Sequence, residues 1–434
     1  MTYSQAITYL YGLQRYGVKL GIENIQRLLG AVGDPHRQFP SVLIGGTNGK
    51  GSTAAFLSSI LGAAGYRVGL YTSPHLLEFT ERIQVDGQAI AGTDVAALVD
   101  ELRAVIANFF PVPYRSHPTF FEVTTALAFL HFVRSKVDYA VVEVGMGGRF
   151  DATNILDAQV AVITNIALEH EEYLGKTLGA IAAEKAGIIK EATRVVTAVN
   201  ASEAMAVITD VCRQRGATLV DVRSTYDWQI HRSDLSGQQF SVGEKGRPTE
   251  TLDIGLLGRH QVINAVAALA AIRLLRTAGA TISENSIRKG LRRAQWPGRL
   301  QLFPGRPLII LDGAHNPAGA IALRAFLEEQ RFAGHLTLVF GVLQDKNWIA
   351  MLQELAPLAK RVVLTRPESE RAADPRHLQE AERFCPKLEI VEDVAEAIAL
   401  AEAVTDPEDA VVVTGSLFVI SAALRALRAQ GTRT

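Results

Sequence analysis

The chain has 434 residues, a length that predicts two or three domains and not one ordinary core. Hydrophobic residues make up 48% and charged residues 21%, which excludes a disordered or collagen-like chain. The 44 basic and 45 acidic residues leave a net charge of −1, so the charge predicts neither nucleic acid nor an acidic membrane as a partner.

Short β-branched runs alternate with helix-like segments through the first two hundred residues. The run 138–144 is almost entirely apolar, as in a strand that is covered on both faces. Such alternation predicts a mostly parallel, doubly wound sheet. The predicted strands are 41–44, 67–71, 138–144, 158–165 and 194–199; the predicted helices are 53–64, 94–108, 119–136 and 177–187, and 73–92 is a predicted loop.

The pattern changes after residue 221. Polar, alternating segments between 221 and 253 predict antiparallel hairpins at a sheet edge, and a long helix is predicted over 259–278. The sequence Trp-Pro-Gly-Arg at 296–299 separates a helix that ends near Arg293 from a new strand–helix series, and is the expected domain boundary. A smaller α/β domain is therefore predicted at the C-terminal end, with strands at 308–311, 336–340, 361–364 and 410–414.

Two cysteines cannot form a disulfide framework or a cysteine zinc site, which suits a reducing cytosol. The first residues lack the basic start and apolar block of a signal peptide. The most apolar stretch, 262–275, is too short to span a bilayer. We therefore expect a cytoplasmic protein.

A glycine-rich sequence, GGTNGKGST at 45–53, separates the first predicted strand from the first predicted helix. Its glycines allow backbone N–H groups to converge on an anion, and the helix N-terminus adds partial positive charge. Lys50 can reach the β- and γ-phosphates of a nucleotide, and Ser52 or Thr53 can place a hydroxyl on Mg²⁺. Gly51 makes the spacing differ from the standard Walker A motif. A plain tight turn needs only one or two glycines, so this sequence predicts nucleotide binding.

Three candidate metal ligands follow predicted strands. Glu143 lies in an apolar strand, and a buried carboxylate needs a cation or a proton. Ser73 and His170 would emerge with it beyond the carboxyl ends of the strands, where open parallel sheets bind ligands. Two oxygen ligands and one imidazole suit a Mg²⁺ that keeps waters, whereas a closed zinc site needs four protein ligands. Taken alone, His170 is better explained as a capping or surface histidine, and its acidic neighbours, Glu169 included, as a solvated face.

Seven motifs occur in order along the chain. Any one of them could arise by chance, but together they are specific, and over residues 2–424 the chain resembles the folylpolyglutamate synthase/dihydrofolate synthase family within the Mur-ligase-like superfamily. The motifs are GTNGKGST (46–53), YTSPHL (71–76), GMGGRFDATN (145–154), EKAGI (184–188), GRHQVINA (258–265), WPGRL (296–300) and DGAHNP (312–317).

The resemblance implies an α/β fold with an N-terminal P-loop ATPase domain, the Mur-ligase-like domain over 1–296, that carries the mostly parallel sheet and the hairpins. A Rossmann-like C-terminal glutamate-ligase domain is implied over 297–434. The implied reaction is the ATP- and Mg²⁺-dependent ligation of L-glutamate to a pteroate or folate carboxylate through an acyl phosphate. We expect a monomer that acts on small molecules, without nucleic acid or membrane partners.

The matching positions also imply roles for individual residues. Ser73, Glu143 and His170 match the family's magnesium ligands. From composition alone, Lys185 is a helix lysine that pairs with Glu184 or extends to water. It matches, however, a lysine that the family carbamylates, which turns a cation into a carboxylate-like ligand. The positions that match ATP contacts are Asn48, Gly49, Lys50, Gly51, Ser52, Asn264, Arg299 and Asp312.

Substrate residues are implied in the same way. His315 and Ser416 lie where the family receives glutamate, and His315 is the candidate general base. Stacking of a flat pterin is a plausible use of Phe120 or Phe121, although aromatics at helical spacing more often belong to a core. The residues that match the family's pterin-binding segments are Thr119, Phe120, Phe121, Glu122, Phe150, Asp151 and Ala152.

Two segments depart from the family pattern. Glu169 stands where an aspartate precedes the histidine more often, and Asn347 ends an Asp-Lys-Asn sequence that is more often Asp-Lys-Asp. The first change should be harmless if only the histidine coordinates metal. The second weakens any role for a second carboxylate there.

Two alternatives remain. A Mur peptidoglycan ligase shares the phosphate loop and the acyl-phosphate chemistry, but it carries a separate UDP-binding domain of about 100 residues on ordinary domain-size grounds. Fewer than half that many residues precede Gly46. A P-loop GTPase-like switch predicts hydrolysis without an acceptor and needs no second α/β domain. Within the folate family, we expect both dihydropteroate and reduced folates as substrates.

Overall fold

The structure is a computed structural model that describes residues 1–17, 19, 21–110, 117–385, 387–429 and 431. The chain divides into two compact units. The first comprises Met1–Gln229, Phe240–Ile254 and Ile263–Gln295, and the second Ile230–Gln239, Gly255–Val262 and Trp296–Thr434. Within the described residues, none of the helices combines the length and the apolar character needed to cross a membrane.

Helices and strands alternate along residues 1–295, as the hydrophobic pattern predicts. The helices are α1 (Tyr3–Gly12), α2 (Glu23–Ala31), α3 (Lys50–Ala63), α4 (Gly92–Phe109), α5 (Phe120–Arg134), α6 (Glu171–Leu174), α7 (Leu178–Lys185), α8 (Ser202–Gln214), α9 (Val222–Thr225), α10 (Arg259–Thr277) and α11 (Glu284–Arg293). The strands are β1 (Ser41–Gly45), β2 (Val68–Tyr71), β3 (Ile83–Val85), β4 (Gln88–Ala89), β5 (Tyr139–Glu143), β6 (Val160–Ile163), β7 (Arg194–Thr197), β8 (Thr218–Asp221), β9 (Tyr226–Asp234), β10 (Gly237–Glu244) and β11 (Glu250–Ile254).

An eight-stranded sheet forms the centre of the first unit, in the order β4-β3-β2-β5-β1-β6-β7-β8. Strands β2, β5, β1, β6, β7 and β8 run parallel, and β3 and β4 are added antiparallel at one edge. Every residue of β1 is buried, as expected for a strand covered on both faces. In the register, Ile44 lies opposite Glu143 and Gly45 opposite Ile163, so the chain leaves β1, β5 and β6 at one edge of the sheet.

Two local predictions in this unit were wrong. Residues 73–92, predicted as a loop, contain β3 and β4, which are too short for an alternating pattern to be recognised. The hairpin segments after residue 221 do not extend the large sheet. They form a separate three-stranded sheet in the order β11-β10-β9. The prediction failed because an alternating pattern shows that one face of a strand is buried but does not show which strand lies beside it.

A second sheet belongs to residues 296–434. Its strands are β12 (Gln301–Phe303), β13 (Leu308–Leu311), β14 (Leu336–Phe340), β15 (Arg361–Leu364), β16 (Leu388–Ile390) and β17 (Ala410–Thr414). Their order is β12-β13-β17-β14-β15-β16, with only β12 antiparallel to its neighbour among these strands. The four predicted strands are confirmed, and the two three-residue strands were missed. The helices are α12 (Pro317–Glu329), α13 (Trp348–Leu355), α14 (Val394–Val404) and α15 (Leu417–Ala429).

Helix α3, which follows the glycine-rich loop, is held by close packing against α11. A Cβ atom at Gly290 would overlap the Cα atom of Ile60 and lie 2.6 Å from its backbone nitrogen. The Ser59 hydroxyl donates a hydrogen bond of 2.8 Å to the Gly290 carbonyl. The absence of a side chain at Gly290 therefore lets α11 approach the backbone of α3.

We expect Gly290→Ala to destabilise the protein by about 1–3 kcal/mol, because the added methyl group forces the two helices apart. Gly62→Ala is the matched control, since a Cβ there meets nothing within 4 Å. That change should stabilise the helix by about 0.4–1 kcal/mol. Chemical denaturation followed by circular dichroism measures both. An unchanged stability of Gly290→Ala would contradict the close packing.

Candidate active site

The glycine-rich loop between β1 and α3 needs glycine at two positions for both conformation and space. Gly46 has a φ of 135° and Gly49 a φ of 85°. A Cβ at Gly46 would overlap the Thr164 hydroxyl, and a Cβ at Gly49 would lie 2.5 Å from Oδ1 of Asn264. The second contact shows that Asn264, an expected ATP residue from α10, lies directly against the loop.

The segment after β6 braces this loop through hydrogen bonds. The backbone N–H of Thr47 donates to the Asn165 carbonyl at 2.9 Å. The backbone N–H of Asn48 donates to Oδ1 of the same asparagine at 2.7 Å. The Thr164 hydroxyl donates to the Asn48 carbonyl at 2.6 Å. The backbone of the loop is therefore fixed before any ligand binds, which reduces the entropic cost of binding.

Two ammonium groups converge on a single carbonyl of the loop. Lys50 Nζ donates to the Gly46 and Thr47 carbonyls at 3.0 and 2.9 Å. Lys185 Nζ donates to the same Gly46 carbonyl at 2.9 Å and to Oε1 of Glu169 at 2.7 Å. Two cations and one carboxylate leave a positive charge of one beside the loop, which favours an anion.

The Lys185–Glu169 pair is buried, with only 2% of the lysine side chain exposed. Burial lowers the pKa of Lys185 to about 8, although Glu169 opposes this effect. Burial alone would raise the pKa of Glu169, but the ammonium groups of Lys185 and Lys50 lower it to about 2. The expectations that Glu169 lies on a solvated face and that Lys185 pairs with Glu184 were wrong, because the longer glutamate side chain reaches inward from the loop after β6.

Both hydroxyl residues that follow the loop are buried, and Ser52 is 3% exposed. Thr53 has no exposed surface, and its Oγ1 is buried without a hydrogen-bond partner among the described residues. Its hydroxyl therefore cannot reach a metal outside the core. Of the two hydroxyls that the sequence offers for Mg²⁺, this leaves Ser52.

The candidate metal ligands are brought together in part. Glu143, 5% exposed, accepts a hydrogen bond of 3.1 Å from the backbone N–H of Ser73 through Oε2. His170 lies at the start of α6 with a φ of 46°, close enough to Glu169 to act on it electrostatically. The described residues contain no cluster of three His, Cys, Asp or Glu side chains able to hold a metal. A buried carboxylate, a serine and a histidine fit a Mg²⁺ that keeps several waters.

Residues expected to bind a pterin also stabilise the fold locally. Thr119 and Glu122 form a capping box at the start of α5, in which the Thr119 N–H donates to Oε2 of Glu122 at 2.7 Å. Burial raises the pKa of the Glu122 carboxyl. Asp151 caps a short 3₁₀ helix and accepts the N–H groups of Met146 and Thr153. Burial raises the pKa of Asp151 as well.

The aromatic residues of these segments differ in exposure. Phe121 is partly buried and packs against Gly145, where a Cβ would lie 2.5 Å from the ring. Phe120 is half-buried and stacks on Tyr11 with a centroid separation of 5.7 Å. Phe150 is 41% exposed, whereas the neighbouring Ala152 is buried. Phe150 is therefore the most exposed of the three rings, and Phe120 and Phe121 are both partly buried.

In the second unit, the loop after β13 is organised around Asp312. This buried carboxylate accepts the N–H groups of Leu300 and Ala314, both at 3.0 Å. Burial raises its pKa, which Arg299 partly offsets. A Cβ at Gly313 would overlap Nη1 of Arg299, so glycine is needed for the arginine to lie there. Arg299 and Asp312, both expected to contact ATP, are therefore neighbours.

The two residues expected to receive glutamate follow adjacent strands. His315 follows β13, and its Nδ1 lies 2.9 Å from the Gly313 carbonyl, which makes Nδ1 the protonated nitrogen of a neutral ring. Ser416 follows β17, and its hydroxyl accepts the Val419 N–H at the start of α15. The Gly415 N–H donates to the Ala314 carbonyl at 3.1 Å, which joins the two loops.

The second departure from the family pattern has a structural explanation. Asn347 caps α13 by accepting the Ala350 N–H, a role that asparagine and aspartate perform equally well. Asp345 pairs with Lys346 and Arg371.

Comparison with known proteins identifies the family. The Mur ligase middle domain matches residues 44–272, and the Mur ligase glutamate ligase domain matches residues 298–417. A dihydrofolate synthase/folylpolyglutamate synthase of Bacillus subtilis is 36% identical over 422 residues, which cover 96% of this chain and 97% of the relative. The chain belongs to the dihydrofolate synthase/folylpolyglutamate synthase family.

Solved structures of the family have the same fold. Mycobacterium tuberculosis folylpolyglutamate synthase complexed with ADP and AMPPCP is 34% identical, with 98% of each chain covered and a TM-score of 0.89. Escherichia coli FolC in complex with DHPP and ADP is 32% identical, with 98% of each chain covered and a TM-score of 0.88. The family and the fold class expected from the sequence are therefore confirmed.

Sequence reasoning missed several residues of this site. Asn165 and Thr164 brace the phosphate loop, but nothing in a strand-ending Thr-Asn pair indicates that they do. Arg82 is a buried cation beside Phe120, and its sequence neighbours suggest an ordinary polar turn. His75 was quoted within the YTSPHL motif without a role, and it accepts a hydrogen bond from Arg82.

We expect Glu169→Gln to destabilise the protein by about 3–5 kcal/mol at pH 7, because it leaves a buried ammonium without its carboxylate. The double variant Glu169→Gln with Lys185→Met should lose less than the sum of the single losses. Urea unfolding of the four proteins measures this coupling. Additive losses would contradict a direct ion pair.

The contribution of Glu169 to the stability of the fold depends on pH. The pKa of Glu169 falls from 4.5 to about 2 on folding, so its contribution to stability is present above pH 4.5 and is lost as the pH falls towards 2. Wild-type protein should lose more stability across this range than Glu169→Gln.

Proposed function

We propose that this protein uses ATP and Mg²⁺ to join L-glutamate to the carboxylate of dihydropteroate and of tetrahydrofolylpolyglutamates. Its place is in folate biosynthesis and polyglutamylation. The observation that carries the proposal is the convergence of Lys50 and Lys185 on the Gly46 carbonyl of a braced glycine loop. The positive charge there suits a polyphosphate. The Bacillus subtilis relative is named for folate ligation, and the two solved structures contain ADP, with AMPPCP or DHPP.

The first task of the protein is activation of the acid. Residues 48–52 surround the triphosphate, which the backbone N–H groups of residues 49–51 and the ammonium of Lys50 hold. The ammonium also neutralises the charge of the phosphoryl group in transfer. Ser52, Ser73, Glu143 and His170 are the residues that would hold Mg²⁺, which when bound supplies further charge neutralisation. Asn264, Arg299 and Asp312 keep their expected role as contacts for the rest of ATP.

The second task is capture of the acyl phosphate by the amine. Holding amine and acyl group together contributes about 7–11 kcal/mol through effective concentration. His315 and Ser416 are the proposed glutamate residues. With Nδ1 protonated against the Gly313 carbonyl, His315 keeps Nε2 as the nitrogen able to accept a proton from the glutamate ammonium.

Other expectations from the sequence remain proposals. They include the domain limits 1–296 and 297–434, carbamylation of Lys185, pterin contacts by residues 119–122 and 150–152, and a monomeric state. The cytoplasmic location is supported by Cys212 and Cys385, which are both free and buried.

The function is tested by ADP release. Purified protein should form ADP only when dihydropteroate or tetrahydrofolate, glutamate and Mg²⁺ are all present. Lys50→Ala should lower this rate by at least about 100-fold, because oxyanion stabilisation of this kind contributes 10²–10³ in rate, while circular dichroism stays unchanged. Lys50→Arg serves as the charge-preserving control.

Each rival function predicts a different outcome of this assay. ADP or GDP release without an acceptor would favour a nucleotide switch. Release that depends on UDP-linked muropeptides would favour a peptidoglycan ligase. Absence of ADP with all the folate substrates present would refute the proposal.

The metal assignment is tested by titration. Glu143→Gln and His170→Ala should each raise the Mg²⁺ concentration needed for half-maximal ligation by about 10-fold or more, because each removes a ligand or its charge. Glu172→Gln is the control, since this glutamate is exposed on α6. Unchanged titrations in the first two variants would remove them from the metal site.

A further inference from the structure

Arg82 is a buried cation without a carboxylate partner among the described residues. It ends the short 3₁₀ helix Phe79–Arg82, directly before β3, and is 8% exposed. Its Nε donates a hydrogen bond of 2.8 Å to Nδ1 of His75. Arg82 forms no salt bridge among the described residues, although buried arginines are nearly always paired.

The terminal nitrogens of Arg82 reach accessible space. In the described part of the chain, four buried side-chain atoms lack a hydrogen-bond partner: His36 Nδ1, Thr53 Oγ1, Asn154 Oδ1 and Gln159 Oε1. Neither Nη atom of Arg82 belongs to this group, and neither donates a hydrogen bond within the described chain. Both nitrogens therefore keep exposed surface, and their four N–H groups can bind a ligand in a planar fork.

The guanidinium is held in one orientation by its neighbours. Its carbon lies 5.3 Å from the centre of the Phe120 ring, over the ring face. Because Arg82 Nε can only donate, Nδ1 of His75 accepts, and a neutral His75 then carries its proton on Nε2. That nitrogen lies 3.3 Å from the Tyr11 hydroxyl, and the Tyr11 ring stacks on Phe120 at an angle of 11°.

Arg82 also lies close to the candidate metal ligands. Glu143 acts on it electrostatically, and Glu143 in turn accepts the Ser73 N–H. Ser73 and His75 belong to one motif, YTSPHL, so a single loop carries both the support of Arg82 and the residue bonded to Glu143. The Arg82 guanidinium thus lies beside the Phe120 ring and near the candidate metal ligands, where phosphoryl transfer is proposed.

We propose that Arg82 binds the carboxylate of dihydropteroate, with the aromatic ring that bears this carboxylate lying against Tyr11 beside Phe120. The planar fork of an arginine matches a carboxylate through two parallel hydrogen bonds. The Tyr11 ring, 39% exposed, supplies apolar surface of the kind that an arylcarboxylate needs. This inference rests on the proposed function, since it names a determinant of the acid that the enzyme activates.

The test compares dihydropteroate with its carboxamide, by fluorescence titration without ATP. Arg82→Gln should weaken binding of the acid by about 10- to 100-fold, as expected for hydrogen bonds to a charged group, and leave binding of the uncharged carboxamide unchanged. Arg82→Lys keeps the charge without the fork and should give an intermediate loss. In turnover, KM for the acid should rise while KM for ATP and for glutamate stays within twofold.

Arg103→Gln is the matched control, because this exposed arginine pairs with Asp100 on α4. It should bind both compounds as wild-type protein does. A purely structural role for Arg82 predicts equal losses for the acid and the carboxamide, together with a lower unfolding temperature. That result, or unchanged acid binding in Arg82→Gln, would overturn the proposal.

Two further outcomes are informative. A selective rise in KM for ATP would assign Arg82 to the nucleotide and overturn the assignment to the acid. If Arg82→Gln does not fold, binding of the acid and of the carboxamide is compared between Arg82→Lys and wild-type protein. Failure of wild-type protein to release ADP refutes the proposed function, whereas the binding titration tests Arg82 without turnover, so the two failures are distinguishable.

Discussion

The proposed chemistry of this protein depends on the Gly46 carbonyl, on which two lysine ammonium groups converge. The Gly46 oxygen accepts hydrogen bonds from both Lys50 and Lys185, and two ammonium groups this close repel each other unless a negative charge lies nearby. Glu169 supplies that charge from the loop after β6. Because it offsets only one of the two cations, the loop keeps an excess positive charge, which favours an anion.

This arrangement explains why the site tolerates so little change in its backbone. Gly46 and Gly49 have positive φ angles, and a side chain at either would collide with Thr164 or Asn264. Thr164, which lies against Gly46, also braces the loop by a hydrogen bond to the Asn48 carbonyl. The Gly46 carbonyl accepts both ammonium groups, so the conformation of the loop and the charge beside it meet at this residue.

Several candidate binding residues have a second role in folding. Thr119 and Glu122 cap α5, Asp151 caps a 3₁₀ helix, and Asn347 caps α13. Loss of any of them alters the start of a helix as well as the surface beside it. For residues of this kind, loss of activity does not distinguish binding from folding. Arg82 differs, because it forms no ion pair with a carboxylate among the described residues, so its replacement breaks no salt bridge there.

The sequence by itself determined the architecture and the phosphate loop. Strands such as β5 and β17 are apolar runs whose burial is a local property, and GTNGKGST needs only its own residues to be recognised. The family motifs then located the candidate site residues one by one. Tertiary structure alone decided which of these residues meet. Glu169 reaches Lys185 across 16 positions, and Arg82 is buried against Phe120 across 38, although neither has an unusual sequence neighbourhood. Such pairings depend on strand order and register, which a pattern of alternating residues does not encode.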